Sequence, residues 1–197
     1  AIADLQASLD VQLHLPAGYS ISYGGAYSEQ QQSFRELMMI LSLAVLLVFA
    51  VLMFLFREWR ISLTVLFISV LGICGCLLAL WLTGVPLNVS SYTGIIMVVG
   101  IIAENAIFTV WQYRMNRRTG GNVSEAVDYA IALRIRPKLM TAIGAVLALM
   151  PLALGIGLGA QMQQPLAVAV IGGFIVGLPL LLLVLPSIML LIYKKRE

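Results

Sequence analysis

Charge is what this 197-residue chain has least of: 11% of its residues are Asp, Glu, Lys or Arg, against 61% hydrophobic, and the mean hydropathy is +0.99. Soluble domains carry about 25% charged residues, so an ordinary soluble globule is excluded and an integral membrane protein is indicated. Histidine is nearly absent: His14 is the only one and precedes the first apolar run, so no His-based metal site can be assembled. The two cysteines, Cys74 and Cys76, lie inside an apolar run where they cannot anchor a disulfide framework. Two residues apart on a helix, they point about 200° from each other, which also denies them a shared metal ion. An initiating Met and a signal peptide are missing as well. The chain opens on Ala1 and its first long apolar run begins near Leu37, so it reads as an internal segment of a longer chain. It shows no nucleophile–base pair, phosphate loop or metal-ligand cluster, and is expected to be neither an enzyme nor the holder of a cofactor or metal. Its small positive balance, 12 Lys+Arg against 9 Asp+Glu, is a topology signal and not a nucleic-acid footprint.

What is present in quantity is long hydrophobic runs. A spanning helix needs about 20 apolar residues to cross about 30 Å of hydrocarbon. Five runs qualify: 37–56, 61–82, 94–113, 139–158 and 165–193. The last carries Pro179 and Pro186, so it is expected to tilt, kink or run past the membrane surface. The predicted fold is an all-α transmembrane bundle of five helices over residues 36–197, preceded by the end of an external domain and its connector over 1–35.

The few cations fix the expected orientation. Only Arg35 lies on one side, whereas Arg57, Arg60, Arg114, Arg117, Arg118, Arg134, Arg136, Lys138, Lys194, Lys195 and Arg196 lie on the other. By the positive-inside rule the N-terminus faces outward and the C-terminus is cytoplasmic. The N-terminal part reads as a short α/β segment: Leu5, Leu9 and Leu13 share a helical face, Pro16-Ala17-Gly18 breaks it, and Tyr19 to Tyr23 alternates as a strand. Ser28 with Gln31 is a capping-box pattern that starts the first spanning helix in the aqueous phase. A second such pattern, Asn122 with Glu125, opens a cytoplasmic amphipathic helix over 123–134. Its apolar stripe is Val123, Val127, Ala130 and Leu133, and it ends before Pro137, lying along the inner surface where anionic lipid attracts Arg134 and Arg136.

One acidic residue breaks the pattern. Eight of the nine lie outside the runs or at their ends, but Glu104 is eleventh of the twenty residues of the third run, close to the bilayer midplane. An acid there costs about 2.5 to 3.5 kcal/mol on insertion scales unless it is protonated, paired or facing water. Burial favours the neutral carboxyl and a nearby Lys or Arg the ionised one, so a helix shift that changes the partner changes the proton occupancy. That is the physical requirement of a proton-coupled machine. Asn105 and Thr109 extend the polar character of the helix, and Ala103 and Ala106 leave room for close approach. The alternative for Glu104 is a neutral packing carboxyl or an oligomer contact. The nine Met residues are scattered and read as core. Gly155, Gly157, Gly159, Gly172, Gly173 and Gly177 read as sites where helices approach closely.

The stretch GIIMVVGIIAENAIFTVWQY (Gly94 to Tyr113), the motif RIRPKLMT (Arg134 to Thr141), MPLALGIGLGAQMQQPLAVAVIGG (Met150 to Gly173) and LVLP (Leu183 to Pro186) resemble, in that order, the C-terminal membrane half of a resistance-nodulation-division (RND) efflux permease. The upstream LPAGYSISYGGAYSEQ (Leu15 to Gln30) resembles the segment that leads into that family's eighth membrane helix. The resemblance implies helices eight to twelve of a twelve-helix protomer in the bacterial inner membrane. It further implies a homotrimer that exchanges protons for substrate, completed by the N-terminal half of the permease and partnered by a periplasmic fusion protein and an outer-membrane channel. It places Glu104 at the tenth-helix position of the proton relay, Asn105 beside it, and Arg134, Lys138 and Thr141 in the signature that opens the eleventh helix. Glu104 together with Lys138 is similar to the copper/silver pumps of the heavy-metal branch. Asn105-Ala106, and the lack of Met between Pro165 and Gly173, are more like the drug exporters, so both metal and drug substrates stand. A non-transporting membrane module that assembles with or regulates another permease subunit is the competing reading. Helix arithmetic sets one condition on the relay: Glu104 lies about 14 Å from the inner edge at 1.5 Å per residue, while Lys138 is drawn at that edge. A direct pair therefore requires the fourth helix to begin deeper.

Overall fold

The computed structural model describes residues 26–118, 120 and 122–194, and the short α/β segment expected near the N-terminus lies outside them. The chain divides into two units, Ala1–Ser33 and Phe34–Glu197. The described residues form five α-helices: α1 Ala26–Phe56, α2 Trp59–Thr83, α3 Val89–Arg118, α4 Val123–Ala153 and α5 Ala160–Lys194. All five contain a stretch long and apolar enough to cross a membrane, which gives the expected all-α bundle.

The connections show why the helices end where they do. Arg57 takes a left-handed φ of 53° between α1 and α2, and its N–H returns to the carbonyl of Met53. Helix α2 stops at Gly84, φ 67°, whose N–H bonds Trp81 O while Val85 N–H bonds Leu80 O. This pair of bonds is a Schellman motif, and Pro86 behind it bars continuation. Helix α3 begins five residues before the apolar run because Asn88 caps it. Asn88 Oδ1 accepts from Ser91 N–H at 3.1 Å, and Ser91 Oγ accepts from Asn88 N–H at 2.8 Å, a reciprocal box with Ser in the usual Glu place. Helix α1 starts at Ala26, so Ser28 stands within it and not at its cap.

The largest departure from expectation is α4. The separate surface helix over 123–134 and the span over 139–158 are one continuous helix, Val123–Ala153, which passes through Pro137. A proline inside a helix deletes one hydrogen bond, but in membrane helices neighbouring groups and Ser/Thr hydroxyls compensate. The bond lost at Pro137 is the one to the Leu133 carbonyl; one turn on, Thr141 Oγ1 donates to the carbonyls of Pro137 and Lys138, 3.1 and 3.0 Å away. Val123, Ala126, Val127, Ala130, Lys138 and Ala142 are buried in one stripe that runs on past the proline, while Leu133 faces out. The helix stops at Ala153, earlier than the hydropathy run, because Gly155, Gly157 and Gly159 take φ values of 70°, 119° and 79°. Those three glycines form a turn, with Gln164 Nε2 donating to Ala153 O at 2.9 Å.

Helix α5 is the centre of the bundle, packed against α2, α3 and α4, while α3 also meets α2 and α4. The seam between α2 and α5 is made by small residues. A Cβ on Gly172 would stand 2.3 Å from Ala79 Cβ and 2.7 Å from Gly75 O, and one on Gly75 would stand 2.9 Å from Gly172 O. In lipid, where apolar surface gains nothing by leaving the solvent, such close backbone approach supplies the dispersion contacts that hold helices together. Around this seam the core closes with Ile61, Val65, Ile68, Val98, Leu181, Leu185 and Met189. Phe54, Trp81, Met140, Ile175 and Leu191 point outward, as side chains facing hydrocarbon do.

Candidate functional site

Three helices enclose a half-open cavity of about 360 Å³. Helix α3 contributes Ile101, Glu104, Asn105 and Phe108, α4 contributes Arg134 to Ala145 through its inward face, and α5 closes it with Phe174 and Leu178. All five residues singled out in the sequence, Glu104, Asn105, Arg134, Lys138 and Thr141, line this one space.

Their environments differ. Lys138 is 5% exposed, and its Nζ donates to Thr109 Oγ1 at 2.7 Å. Thr109 in turn donates to the carbonyl of Asn105 at 2.8 Å, and Asn105 Nδ2 donates to Ile101 O at 2.8 Å. A polar ladder thus descends α3 beside the cavity. The Arg134 guanidinium lies over the Phe108 ring, 4.7 Å from its centroid, and its buried Nε has no hydrogen-bond partner. It therefore projects into the bundle and not outward as a lipid anchor. Arg136, two residues on, is the exposed one. Thr141 spends its hydroxyl on the α4 backbone. Glu104 is exposed on the cavity wall, and among the described residues no hydrogen bond or ion pair engages its carboxylate. It also lines a second cavity of about 300 Å³, formed with Leu47, Val48, Val51 and Leu52 of α1 and Gly100, Ala103 and Ile107 of α3.

The structure brings Lys138 nearer the level of Glu104 than the sequence arithmetic gave, with its ammonium on Thr109 and no direct pair to Glu104 among the described residues. Because α4 begins at Val123, Lys138 is its sixteenth residue and lies well inside the helix. Its ammonium reaches the level of Thr109, about 8 Å along α3 from Glu104 at 1.5 Å per residue, where the drawn spans had left about 14 Å. Thr109 is the residue the sequence reading left out of the site. Its spacing of four from Asn105 and five from Glu104 was the available signal.

A second polar cluster ties the basic end of the bundle. Tyr193 Oη donates to Glu58 Oε2 at 2.6 Å, and its ring stacks on Tyr113 with centroids 4.7 Å apart. Arg114 donates to the carbonyls of Leu55 and Phe56, which end α1 without intrahelical partners. Counting had treated Arg114 only as a topology charge. Its position at the negative end of a helix dipole is a second reason for a cation there.

Comparison with known proteins agrees with this architecture. The profile of the AcrB/AcrD/AcrF family matches residues 1–193. The chain is 34% identical over 196 residues to the cobalt-zinc-cadmium resistance protein CzcA of Cupriavidus metallidurans, covering 100% of this chain and 18% of that protein. It is 33% identical over 195 residues to the nickel and cobalt resistance protein CnrA of the same organism, covering 99% of this chain and 18% of that one. It is 36% identical over 188 residues to the multidrug resistance protein MdtC of Erwinia tasmaniensis, covering 94% of this chain and 18% of that one. A crystal structure of a heavy metal efflux pump superposes with a TM-score of 0.77 at 35% identity, over 96% of this chain and 19% of that one. The chain belongs to the AcrB/AcrD/AcrF family of RND efflux permeases, and its likeness extends to the heavy-metal branch. It spans under a fifth of the length of these relatives.

Proposed function

We propose that the chain supplies the proton-handling membrane helices of an RND permease that exports its substrate in exchange for protons, with Glu104 as the proton carrier of this segment. The observation that carries the reading is the shared cavity: an unpaired mid-helix carboxylate and a buried lysine face one space of about 360 Å³. Opposite unit charges about 6 Å apart attract by about 3 kcal/mol at an effective dielectric of about 20, roughly two decades in proton occupancy. Drawing the lysine from about 8 to about 4 Å of Glu104 strengthens the attraction by about 2 kcal/mol and shifts proton occupancy by about one and a half decades. The membrane potential adds about 2.3 kcal/mol per charge for each 100 mV. Arg134 holds a second positive charge at the cavity wall, and Asn105 and Thr141 shape its polar lining.

The complete protein is read as a homotrimer in the bacterial inner membrane, with a periplasmic fusion protein and an outer-membrane channel. The cation-rich end of the bundle is cytoplasmic under this reading. Metal cations are the proposed substrate, supported by the names of CzcA and CnrA and by the Glu104 and Lys138 pair; hydrophobic drugs are the second reading, supported by MdtC and by Asn105-Ala106. The test is proton-coupled export by the complete permease carrying Glu104→Gln, with resistance profiled against copper, silver, zinc, cobalt and hydrophobic drugs. Loss of export with unchanged protein level is expected. Undiminished export sinks the relay and favours the non-transporting module.

A further inference from the structure

Helix α1 is the loosely packed member of the bundle: from Phe34 on, none of its Cα atoms comes within 8 Å of a Cα in another helix among the described residues. Beside its inner end a crevice of about 330 Å³ stands open, walled by Leu55 and Phe56 of α1 and by Ile107, Phe108 and Trp111 of α3. The walls are apolar except at one end, which Arg114 closes. Trp111 is exposed at this end, and so is Trp59 at the start of α2, with the Arg60 guanidinium 5.7 Å from its ring centroid. Indole rings of this kind settle at the headgroup level of a bilayer. Arg114 stands three residues past Trp111, about 4.5 Å further along α3. Its N–H groups donate to the carbonyls of Leu55 and Phe56, which take two of the five a guanidinium carries. Arg57 and Arg60 are exposed next to the end of α1, and Arg117 is exposed one turn beyond Arg114. The one acid among residues 55–60 and 107–118, Glu58, accepts the Tyr193 hydroxyl.

We propose that this crevice binds an anionic phospholipid from the leaflet at the cation-rich end of the bundle, with one acyl chain between α1 and α3 and the phosphate at Arg114. A volume above about 300 Å³ is in the range of ligand-binding clefts, and apolar walls suit hydrocarbon. Ile107 also lines the cavity of about 300 Å³ between Leu47, Val51, Gly100 and Ala103. The open path along α3 from Arg114 to Gly100 is therefore 14 residues, about 21 Å, against about 15 Å of hydrocarbon in one leaflet. Charge selects the headgroup. Arg114, Arg57, Arg60 and Arg117 gather four cations at this end, which favours a headgroup of net negative charge over a zwitterion whose ammonium they repel. The planar guanidinium offers a phosphate paired donors, and its bonds to the α1 carbonyls hold it at the end of the crevice. A lipid seated there fills space that the side chains leave and joins α1 to α3 where their backbones stay apart. The inference is independent of the proton carrier and of the exported substrate.

Photo-crosslinking on the purified complete permease in phosphatidylcholine nanodiscs provides the test. Phosphatidylglycerol and phosphatidylethanolamine carrying the same diazirine-labelled acyl chain are added in trace amounts, and the modified residues are located by peptide mass spectrometry. Labelling within residues 107–111 is expected to be at least about fivefold stronger with phosphatidylglycerol, the equivalent of one cation's attraction for an anionic headgroup. Arg114→Gln is expected to lower that preference about fivefold, whereas Arg114→Lys, which keeps the charge, is expected to retain it. Leu55→Trp, which fills the crevice from its exposed side, is expected to reduce labelling by both lipids to background. Equal labelling of the unmodified protein by the two lipids overturns the proposal, and this comparison needs no variant to fold. No labelling of residues 107–111 overturns it too, since another helix of the permease or a bound hydrophobic compound then occupies the crevice. So does a preference that survives Arg114→Gln, one that Arg114→Lys loses equally, which marks the lost cap of α1, or labelling that persists in Leu55→Trp.

Discussion

Lys138 and Tyr193 show what a single polar side chain does in a bundle otherwise built from apolar packing. Each is fixed by a specific partner from elsewhere in the chain, Thr109 of α3 for the first and Glu58, just before α2, for the second. Hydrogen bonds to charged groups contribute about 1.5 to 3 kcal/mol, and a partner left unsatisfied costs at least as much. Tyr193→Phe is therefore expected to lower the thermal unfolding midpoint of the purified permease, with Tyr193→Phe/Glu58→Gln losing less than the sum of the two single changes. A double variant that loses stability additively would show that the two side chains act independently. At this scale the sequence was informative about the odd residue and silent about its partner. Glu104 declares itself because a carboxylate among apolar neighbours is costly wherever that helix packs. Thr109 is one of many hydroxyls in membrane helices, and only the position of Lys138 gives it a role.

At the scale of elements, hydropathy located every span but misplaced several ends. Membrane apolarity sets which residues must be covered by hydrocarbon, whereas helix ends are set by local hydrogen bonding. The Asn88 and Ser91 box extended α3 outward, the three positive-φ glycines cut α4 short, and Pro137, which the sequence suggested as a helix end, lies inside one helix. The glycines divide by function in the same way. Gly172 lies where α2 and α5 touch, so Gly172→Val is expected to destabilise by about 1 to 3 kcal/mol or more through overpacking, read as loss of folded protein in detergent. A Cβ on Gly144 of α4 meets nothing within 4 Å, so Gly144→Ala is expected to be neutral or to gain up to about 1 kcal/mol from helix propensity. Equal damage from both would contradict the packing drawn for α5.

For the whole molecule, orientation and completeness govern function. A single cysteine placed at Gly157, in the turn between α4 and α5, is expected to react with an impermeant maleimide in intact spheroplasts of a cysteine-free permease. One placed at Asn122, between α3 and α4, is expected to react only after the membrane is broken. The reverse pattern would invert the topology. Both residues belong to connections and not to the seams, so the labels leave the packing alone. The same chain expressed without the rest of the permease is expected to insert and to show no proton-coupled export, because it lacks the opposing acids that the family resemblance implies.

The amino-acid sequence by itself determined the number of spans, the sidedness of charge, the one costly carboxylate and the family. These are additive along the chain: each run either covers about 30 Å of hydrocarbon or does not, and each cation counts wherever it sits. Only the tertiary structure decided that Arg134 and Lys138 turn inward to share a cavity with Glu104, that Thr109 receives the lysine, and that Arg114 closes the end of α1. Which face of a helix meets which neighbour depends on rotation and crossing distance. Here those are set by Gly75, Ala79 and Gly172 at the α2–α5 seam, where side chains small enough to vanish from a hydropathy profile fix how close the backbones come.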